Sequence, residues 1–537
     1  MEAYLFTLVV LGLMASGHTA AGGTMLRNAG VSEPLHALAM AAIYAPSAAR
    51  EEELPFRIAQ RLADAQRVAG TSTAPQHAPP PAGGRTTAPM LQTAPASINV
   101  EGMPAGDARV SGAVGEIEYV QVANALITVY RKHDGAKMLG PVQANAMFAG
   151  APSSAGARAC AAPRDGDTAV MFDQFARRWI LSHRAWAPGH AGTGPYYLCI
   201  AVSATPDATG SYHRHVHAVY GAAGQPLYFD DPQLALWPDA YYFSASLFDG
   251  AAGRYLGPRV CGLDRQALLR GFDARIRCRD LGAAAGPLVV AGVEGYAGPS
   301  HVSGAALFLA PDLSPEGHGA HLLLWRYSYG ADRLDGPLAI PVAPFTIACA
   351  AGDACVEQPA PGARLAAAGE RLMPHPVYRN DYGRDSLVVS HSVQMPEGQL
   401  GVRWYEIDTP FGAARAYQQG NFAPDGASRW SGSIGMDKAG NIALGYRVAS
   451  SDTAPGIRYS GRERTDPPGR MRAEHIVFNG AGVEPRAGLV SARLHAGALT
   501  LDPVDGCTFW YTQQYLPSTG PANWRTRVAS FAFESCR

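Results

Sequence analysis

The chain has 537 residues, of which 47% are hydrophobic and 17% charged, so it is long enough and apolar enough to bury a large core. A formal net charge of −1 argues against a nucleic-acid-binding protein, because such a protein needs a basic face to displace the counterions of phosphate groups. The 60 glycines and 41 prolines are typical of many short strands joined by frequent turns.

The N-terminal end begins with an apolar stretch of signal-peptide length, followed by small residues. This stretch is too short to cross a bilayer comfortably, since a spanning helix needs about 20 apolar residues. We therefore predict a signal peptide over residues 1–21, no integral membrane span, and a secreted, periplasmic or cell-surface location. Glu2 stands where a signal peptide usually carries a basic residue, so a buried or propeptide helix is the alternative.

Two further segments precede the main domain. Residues 22–69 are predicted to form a helical pro-segment, because Phe56, Ile58 and Leu62 recur at near-helical spacing. Residues 70–110 are rich in alanine, proline and threonine and contain almost no side chains that form a core. We predict that they are a disordered linker.

From residue 111 to residue 537 one unit keeps returning: a polar residue, a short apolar run, a polar turn and an aromatic-rich apolar run. The clearest copies are Asp167–Ser182, Asp231–Ser244, Ser433–Tyr446 and Ala498–Tyr511. Repetition at intervals of roughly 45 to 75 residues indicates radially arranged blades, because one four-stranded sheet cannot bury both faces alone.

We predict an all-β fold, a seven-bladed β-propeller, with six or eight blades as alternatives. The expected inner strands lie near residues 118, 168, 232, 303, 386, 433 and 498. A C-terminal strand is expected to complete a blade begun elsewhere.

The eight cysteines support export, because none has the Cys-x-x-Cys spacing of a zinc or redox site. Eight cysteines allow 105 pairings. We predict disulfides between nearest neighbours, most clearly Cys349 with Cys355 and Cys507 with Cys536. Free buried thiols are the alternative.

Two local motifs stand out inside the repeat region. The segment from Asp264 to Gly271 predicts a helical turn between strands of one blade, with Asp264 as the N-cap and Gly271 as the stop signal. The alternating histidines His213, His215 and His217 place three imidazoles on one strand face. No carboxylate or cysteine lies beside them at ligand spacing, which favours a solvated edge strand over a metal site.

Several longer motifs resemble an uncharacterised family of secreted bacterial β-propeller proteins, which is itself distantly similar to sialidases. The resemblance covers residues from about 115 to 537 and rests on the segments Phe229–Tyr242, Val260–Arg265, Gly401–Glu406, Arg429–Tyr446, Ile457–Arg462 and Asp502–Thr512. It implies the same propeller fold and no established reaction. The chain departs from the family pattern at two expected inner-strand starts, where it carries Arg384-Asp385 and His495.

Loops that lead into the inner strands of a propeller converge on one face, which makes polar residues there the default candidates for a site. The candidates are Asp167, Asp231, Arg384, Asp385, Arg429 and His495. Glycoside hydrolysis needs two carboxyl groups about 5 to 9.5 Å apart, a role that Asp231 and Asp385 are predicted to fill. The other four are predicted to bind ligand, the arginines by holding an acidic sugar. The alternative is that such aspartates cap turns and tie strands together.

We predict a monomeric module that binds a glycan or an extracellular protein at the channel face. A glycoside hydrolase and a structural envelope protein are the alternatives, so the sequence leaves open whether the protein is an enzyme. No cofactor and no metal ion are predicted. Tyr241, Tyr242, Trp404, Trp430 and Trp510 are expected to pack between blades rather than to stack on sugar rings.

Overall fold

The structure is a computed structural model. It describes residues 21–42, 93–106, 109–152, 154–162, 168–190, 192–249, 253–295, 305–350, 354–381, 384–408, 413–485, 496–521 and 523–536. Within these ranges the chain forms 32 strands and three short α-helices, which confirms the all-β prediction. The helices are α1 (Leu35–Ala42), α2 (Ala155–Ala161) and α3 (Arg265–Leu269), and single 3₁₀ turns span Ala144–Phe148, Ala283–Ala285 and Glu534–Cys536.

Most strands pair into four-stranded antiparallel units, which we call blades I to VII. Blade I consists of β3 (Val110–Val114), β4 (Glu118–Ala123), β5 (Leu126–Arg131) and β6 (Lys137–Gln143). Blade II consists of β7 (Ala169–Asp173), β8 (Arg178–Trp186), β9 (Tyr196–Ser203) and β10 (Tyr212–Val219). Blade III consists of β11 (Leu227–Leu236), β12 (Tyr241–Asp249), β13 (Tyr255–Leu263) and β14 (Ala274–Asp280).

The C-terminal half follows the same scheme. Blade IV consists of β15 (Val289–Val290), β17 (Ala306–Asp312), β18 (His318–Ser328) and β19 (Arg333–Thr346). Blade V consists of β22 (Val377–Asp381), β23 (Arg384–Gln394), β24 (Leu400–Asp408) and β25 (Arg415–Phe422), with β16 (Gly292–Val293) added in parallel beside β22. Blade VI consists of β26 (Ser428–Met436), β27 (Ile442–Ala449), β28 (Gly456–Arg462) and β29 (His475–Phe478). Blade VII consists of β30 (Ala498–Leu501), β31 (Phe509–Tyr515), β32 (Arg525–Phe531) and β2 (Ile98–Pro104).

The blades are arranged in a ring, because neighbouring blades touch through their first strands. Contacts run from β3 to β7, from β7 to β11, from β11 to β15 and β16, from β16 to β22, from β22 to β26, from β26 to β30 and from β30 back to β3. The predicted β-propeller is therefore confirmed. A small separate sheet pairs β20 (Ala354–Val356) with β21 (Leu365–Ala366).

The ring closes through an N-terminal strand, so the expectation that a C-terminal strand completes a blade begun elsewhere is wrong. Strand β2 pairs antiparallel with β32 and is the fourth strand of blade VII. It lies inside the segment 70–110 that the sequence analysis assigned to a linker. Ile98 and Val100 alternate with the exposed Asn99 and Glu101, which is the period of a half-buried strand.

A second N-terminal strand, β1 (Ala21–Val31), bridges two blades. It pairs antiparallel with β10, the last strand of blade II, and with β14, the last strand of blade III. Leu26 of this strand is fully buried against the cluster shared by those blades. The start of the segment expected to be helical is thus a strand, because two unpaired sheet edges satisfy its backbone groups. The predicted signal peptide and the helix around Phe56 lie outside the described residues, apart from Ala21.

Three of the expected inner strands were placed one strand too late. Positions 118 and 386 fall in the second strands β4 and β23, and position 303, outside the described residues, precedes the second strand β17. The true first strands β3, β15 and β22 are two to five residues long, and none of them begins one of the clear copies of the repeat. A first strand at the ring centre has little room for large side chains, which weakens its sequence signal.

Large aromatic side chains fill the spaces between blades, as expected. Trp404, Trp430 and Trp510 are each at most 2% exposed, and Tyr241 and Tyr242 are equally buried. Trp510 of blade VII stacks on Tyr119 of blade I with ring centroids 5.1 Å apart. These aromatic rings are unavailable to a sugar because they form the inter-blade core.

All eight cysteines are paired, and the nearest-neighbour prediction is confirmed at every position. The disulfides join Cys160 to Cys199, Cys261 to Cys278, Cys349 to Cys355 and Cys507 to Cys536. Four disulfides are consistent with folding in an oxidising, extracellular compartment. Among the described residues, no helix has the length and apolar character needed to traverse a membrane.

The predicted helical turn is also confirmed. Helix α3 lies between β13 and β14 of blade III, and the carboxylate of Asp264 accepts a hydrogen bond from the N–H of Ala267 at 3.0 Å. Leu268 is fully buried, and Gly271 has a φ of +70° that favours glycine after the helix end.

Candidate functional site

A cavity of about 80 Å³ lies at the centre of the ring. Its wall comes from the first strands of blades I to V and VII and from the loops beside them, and most of it is apolar, as at Phe172 and Leu236. The polar side chains in the wall are Gln174, Glu294, His375 and Thr500. We call this cavity the channel pocket. A preformed apolar wall with a few polar groups is the usual form of a small-ligand site.

Glu294 is the carboxyl group of the channel pocket. Its Oε2 atom is buried without a hydrogen-bond partner among the described residues. Burial raises the pKa of Glu294 to about 8, although the N–H of Leu501 and the charge of Arg379 act in the opposite direction. At neutral pH the side chain is therefore mostly a neutral carboxylic acid, which both donates and accepts hydrogen bonds.

His375 is also neutral in this pocket. It lies between Pro374 and Pro376 with a φ of +60°, a conformation that is unusual for a non-glycine residue and is often associated with functional sites. Burial and the positive charge of Arg109 lower the pKa of His375 to about 3. Its ring thus offers one nitrogen as a donor and one as an acceptor.

The remaining polar groups of the channel pocket carry no charge. The Oγ1 atom of Thr500 is buried without a hydrogen-bond partner among the described residues. Gln174 donates from Nε2 to the carbonyl oxygen of Gly295 at 2.6 Å, which fixes the amide beside Glu294. The pocket therefore presents hydroxyl, amide, imidazole and carboxylic acid groups, all neutral at pH 7.

Asp231, one of the predicted catalytic carboxylates, lies in a bulge of β11 and has a φ of +48°. Its side chain is buried and accepts hydrogen bonds from Arg109 at 2.7 Å, from Arg371 at 3.0 Å and from Gln233 at 2.8 Å. Both carboxylate oxygens are thus engaged by cationic or amide donors. These are the contacts of a buried ion pair, and a catalytic role for Asp231 stays a prediction.

Asp385, the second predicted carboxylate, lies at the hairpin between β22 and β23. Its Oδ1 atom accepts hydrogen bonds from the hydroxyl of Tyr378 at 2.5 Å and from the amide of Asn380 at 2.6 Å. This hairpin follows the C-terminal end of β22, whereas His375 lies in the loop that enters the N-terminal end of the same strand. Asp231 and Asp385 belong to different blades and share no hydrogen-bond partner, so the described contacts do not form a carboxylate pair.

The described contacts of Arg429, one of the predicted ligand-binding residues, include ion pairs within the protein. Arg429, at the start of β26, is paired with Asp425 at 2.7 Å and with Glu474 at 2.9 Å. Asp167 and His495 lie outside the described residues, so their predicted roles stay predictions.

Arg384 lines a second cavity, of about 60 Å³, between blades V and VI. We call it the inter-blade pocket. Its wall includes Arg384, Glu406, Tyr417, Arg462 and Arg464, so it is polar and carries more positive than negative charge.

The sequence analysis missed most residues of both pockets. Glu294 follows a short apolar run in a region rich in glycine and alanine. A single carboxylate directly after such a run could have been recognised in the sequence as a candidate site residue. The Pro374-His375-Pro376 motif was a second recognisable signal, because prolines on both sides restrict the backbone around the histidine. No local pattern marks the inter-blade pocket, since its side chains come from different blades.

The alternating histidines do not form a solvated edge strand, contrary to the sequence-based expectation. Strand β1 covers β10 and pairs Asn28 with His215. Burial lowers the pKa values of His215 and His217 to about 4, so both are neutral and inside the structure.

Among the described residues, Cys160, His183 and Cys199 are one group with metal-ligand spacing. The two cysteines form a disulfide, so their sulfur atoms are not available as thiolate ligands.

The fold and the channel pocket together define a β-propeller with a mostly apolar cavity at its centre that carries a few polar groups. No protein-family model matches the chain, and no curated protein matches its sequence. Among solved structures, it is similar to the BP39L lectin from Burkholderia pseudomallei at 13% identity and a TM-score of 0.42, covering 80% of this chain and 96% of the lectin.

Two other solved structures are similar at a lower level. An ulvan lyase, a polysaccharide lyase, has 10% identity and a TM-score of 0.40 over 82% of this chain and 96% of the lyase. A sialidase from Trypanosoma rangeli has 7% identity and a TM-score of 0.33 over 66% of this chain and 53% of the sialidase. At these values the likeness concerns the fold and does not extend to a site.

Proposed function

We propose that this protein is an exported, monomeric β-propeller that binds a glycan in the channel pocket. The observation that supports the proposal is the combination of an apolar wall with uncharged hydrogen-bonding groups at the ring centre. Sugar hydroxyls need donors and acceptors in alternation, and the C–H faces of a sugar ring need apolar contact. Glu294, His375 and Thr500 supply the donors and acceptors, and side chains such as Phe172 and Leu236 supply the apolar contact.

The experiment is a glycan array followed by titration calorimetry with the best glycan. We expect saturable binding by the wild-type protein and at least tenfold weaker binding by Glu294→Leu, which keeps the bulk but removes the hydrogen bonds. Glu397→Gln is the matched control, because Glu397 is exposed in the β23–β24 hairpin and does not line the pocket. Size-exclusion chromatography with light scattering tests the monomeric state.

Three outcomes would count against this function. Equal affinity in the wild type and Glu294→Leu would place any bound glycan outside the channel pocket. Release of reducing sugar during the titration would favour the glycoside hydrolase, and the Asp231 and Asp385 variants would then be tested for loss of turnover. An absence of binding across the array would favour a protein ligand or a structural role.

A further inference from the structure

The inter-blade pocket has an unbalanced charge. Three arginines, Arg384, Arg462 and Arg464, contribute to its wall, whereas Glu406 is the carboxylate among the described residues that line it. A concave surface of one sign raises the local concentration of ions of the opposite sign. The pocket is therefore suited to an anion.

The single carboxylate of the wall is already fully engaged. Glu406 accepts hydrogen bonds from Arg384 at 2.8 Å, from Ser386 at 3.1 Å and from Gln418 at 2.5 Å. These three donors belong to the same blade, so they hold Glu406 in the wall rather than leave it facing a ligand. Glu406 is thus hydrogen-bonded to Arg384, whereas no hydrogen bond joins it to Arg462 among the described residues.

Arg462 is the under-compensated cation of the pocket. It is 3% exposed, and its Nε atom is buried without a hydrogen-bond partner among the described residues. Its Nη2 atom donates to the backbone carbonyl of Asp466, whereas the carboxylate of Asp466 accepts from Arg472 at 2.7 and 3.0 Å. Burial lowers the pKa of Arg462, although the charges of Glu406 and Asp466 act in the opposite direction. A bound anion would relieve the cost of this buried charge.

The pocket also has an aromatic edge. The guanidinium carbon of Arg384 lies 3.8 Å from the ring centroid of Tyr417, and Tyr417 is 50% exposed. This cation–π contact orients the guanidinium at the mouth of the pocket. An exposed aromatic ring beside oriented guanidinium groups matches a ligand that combines an oxyanion with a ring.

We propose that the inter-blade pocket is a second binding site, specific for an acidic sugar residue. A carboxylate or sulfate group binds between Arg384 and Arg462, and the sugar ring packs against Tyr417. The site is independent of the channel pocket, since the two walls share no residue.

The test is titration calorimetry with glucuronic acid, glucose 6-sulfate and neutral glucose. We expect the wild-type protein to bind one or both acidic sugars saturably, with affinity that falls as salt is raised. Neutral glucose should not compete. Preference for glucuronic acid would identify a carboxylate site, and preference for glucose 6-sulfate a sulfate site.

The variants are Arg384→Gln and Tyr417→Ala, each expected to weaken binding at least tenfold. Tyr417→Ala is included because Arg384→Gln removes one donor from the buried Glu406, whereas Tyr417 is half exposed. Arg470→Gln, an exposed arginine outside the pocket, is the matched control. Unchanged affinity in Tyr417→Ala would overturn the proposal, as would an absence of saturable binding up to about 10 mM of either acidic sugar. Binding that is lost only in Glu294→Leu would assign the acidic sugar to the channel pocket and also overturn it.

Discussion

The buried polar residues of this propeller have two different roles. Asp231, with Arg109 and Arg371 on either side, balances charge inside the wall of blade III. Glu294 and His375 stay neutral because burial disfavours their charged forms, and at Glu294 this effect outweighs the opposing charge of Arg379. Paired groups of the first kind stabilise the fold, whereas neutral groups of the second kind face a cavity and are available to a ligand.

Asp231→Asn tests the structural role of the ion pair. The amide removes the negative charge between two buried arginines, and we expect the free energy of unfolding to fall by about 3 kcal/mol or more. Asp335→Asn is the control, because Asp335 pairs with Arg333 at an exposed position where a salt bridge contributes about 0 to 1 kcal/mol. Chemical denaturation measures both. An Asp231→Asn protein as stable as the wild type would contradict the ion-pair interpretation and leave catalysis as the reason for this carboxylate.

Glu294 makes stability depend on pH with a defined sign. Its pKa in the folded protein is about 8, above the ordinary value of 4.5 that holds in the unfolded chain, so the folded state binds more protons between these values. The stabilisation that Glu294 contributes is present below pH 4.5 and is lost as pH rises towards 8.

The Glu294→Gln variant removes this titration. We expect its melting temperature to fall less than that of the wild type between pH 6 and pH 8, and its affinity for the channel ligand to be less sensitive to pH over the same range. If the melting temperatures of the two proteins changed equally between pH 6 and pH 8, Glu294 would not ionise in this range.

At the scale of elements, the sequence predicted the repeats better than the ends of the chain. The inner strands that contain Asp231, Ser433 and Ala498 were found because each belongs to one of the clearest copies of the repeat. Strands β1 and β2 were missed because they have no partner nearby in the sequence. Each is stabilised by a sheet edge whose residues lie more than a hundred positions away.

Leu26→Ala tests whether β1 is an integral strand. Leu26 is fully buried between blades II and III, so we expect the truncation to cost about 2 to 5 kcal/mol. Val31→Ala, in the same strand but 52% exposed, is the control and should change stability by about 0.5 kcal/mol or less. Denaturation curves of both variants give the comparison. Equal stability would mean that β1 is a dispensable pro-segment, as the sequence alone had indicated.

At the scale of the whole molecule, the ring depends on how its ends are joined. Strand β2 completes blade VII from the N-terminal side, and the disulfide between Cys507 and Cys536 ties the C-terminal end to the same blade. Opening the ring at this point would expose the inter-blade contacts on both sides, including the stacked Tyr119 and Trp510.

Removing the disulfide with Cys507→Ser and Cys536→Ser should lower stability by about 3 to 4 kcal/mol, because the bond closes a loop of 29 residues. Removing the bond between Cys349 and Cys355 should cost about 1 kcal/mol less, since that loop spans six residues. Thermal unfolding under non-reducing conditions measures both. If removing the Cys349–Cys355 bond cost more stability than removing the Cys507–Cys536 bond, blade VII would not limit the stability of the ring.

The sequence by itself determined the all-β class, the propeller repeat, the four disulfides and the capped turn at α3, because each depends on local pattern or short separation. Only the tertiary structure decided which polar residues meet. Glu294 and His375 lie beside two strands of blade V that are distant in the sequence, and Thr500 lies in blade VII. Arg384 and Arg462 come from blades V and VI, so no spacing along the chain connects these residues. The ring brings their side chains together, and burial then keeps Glu294 and His375 neutral.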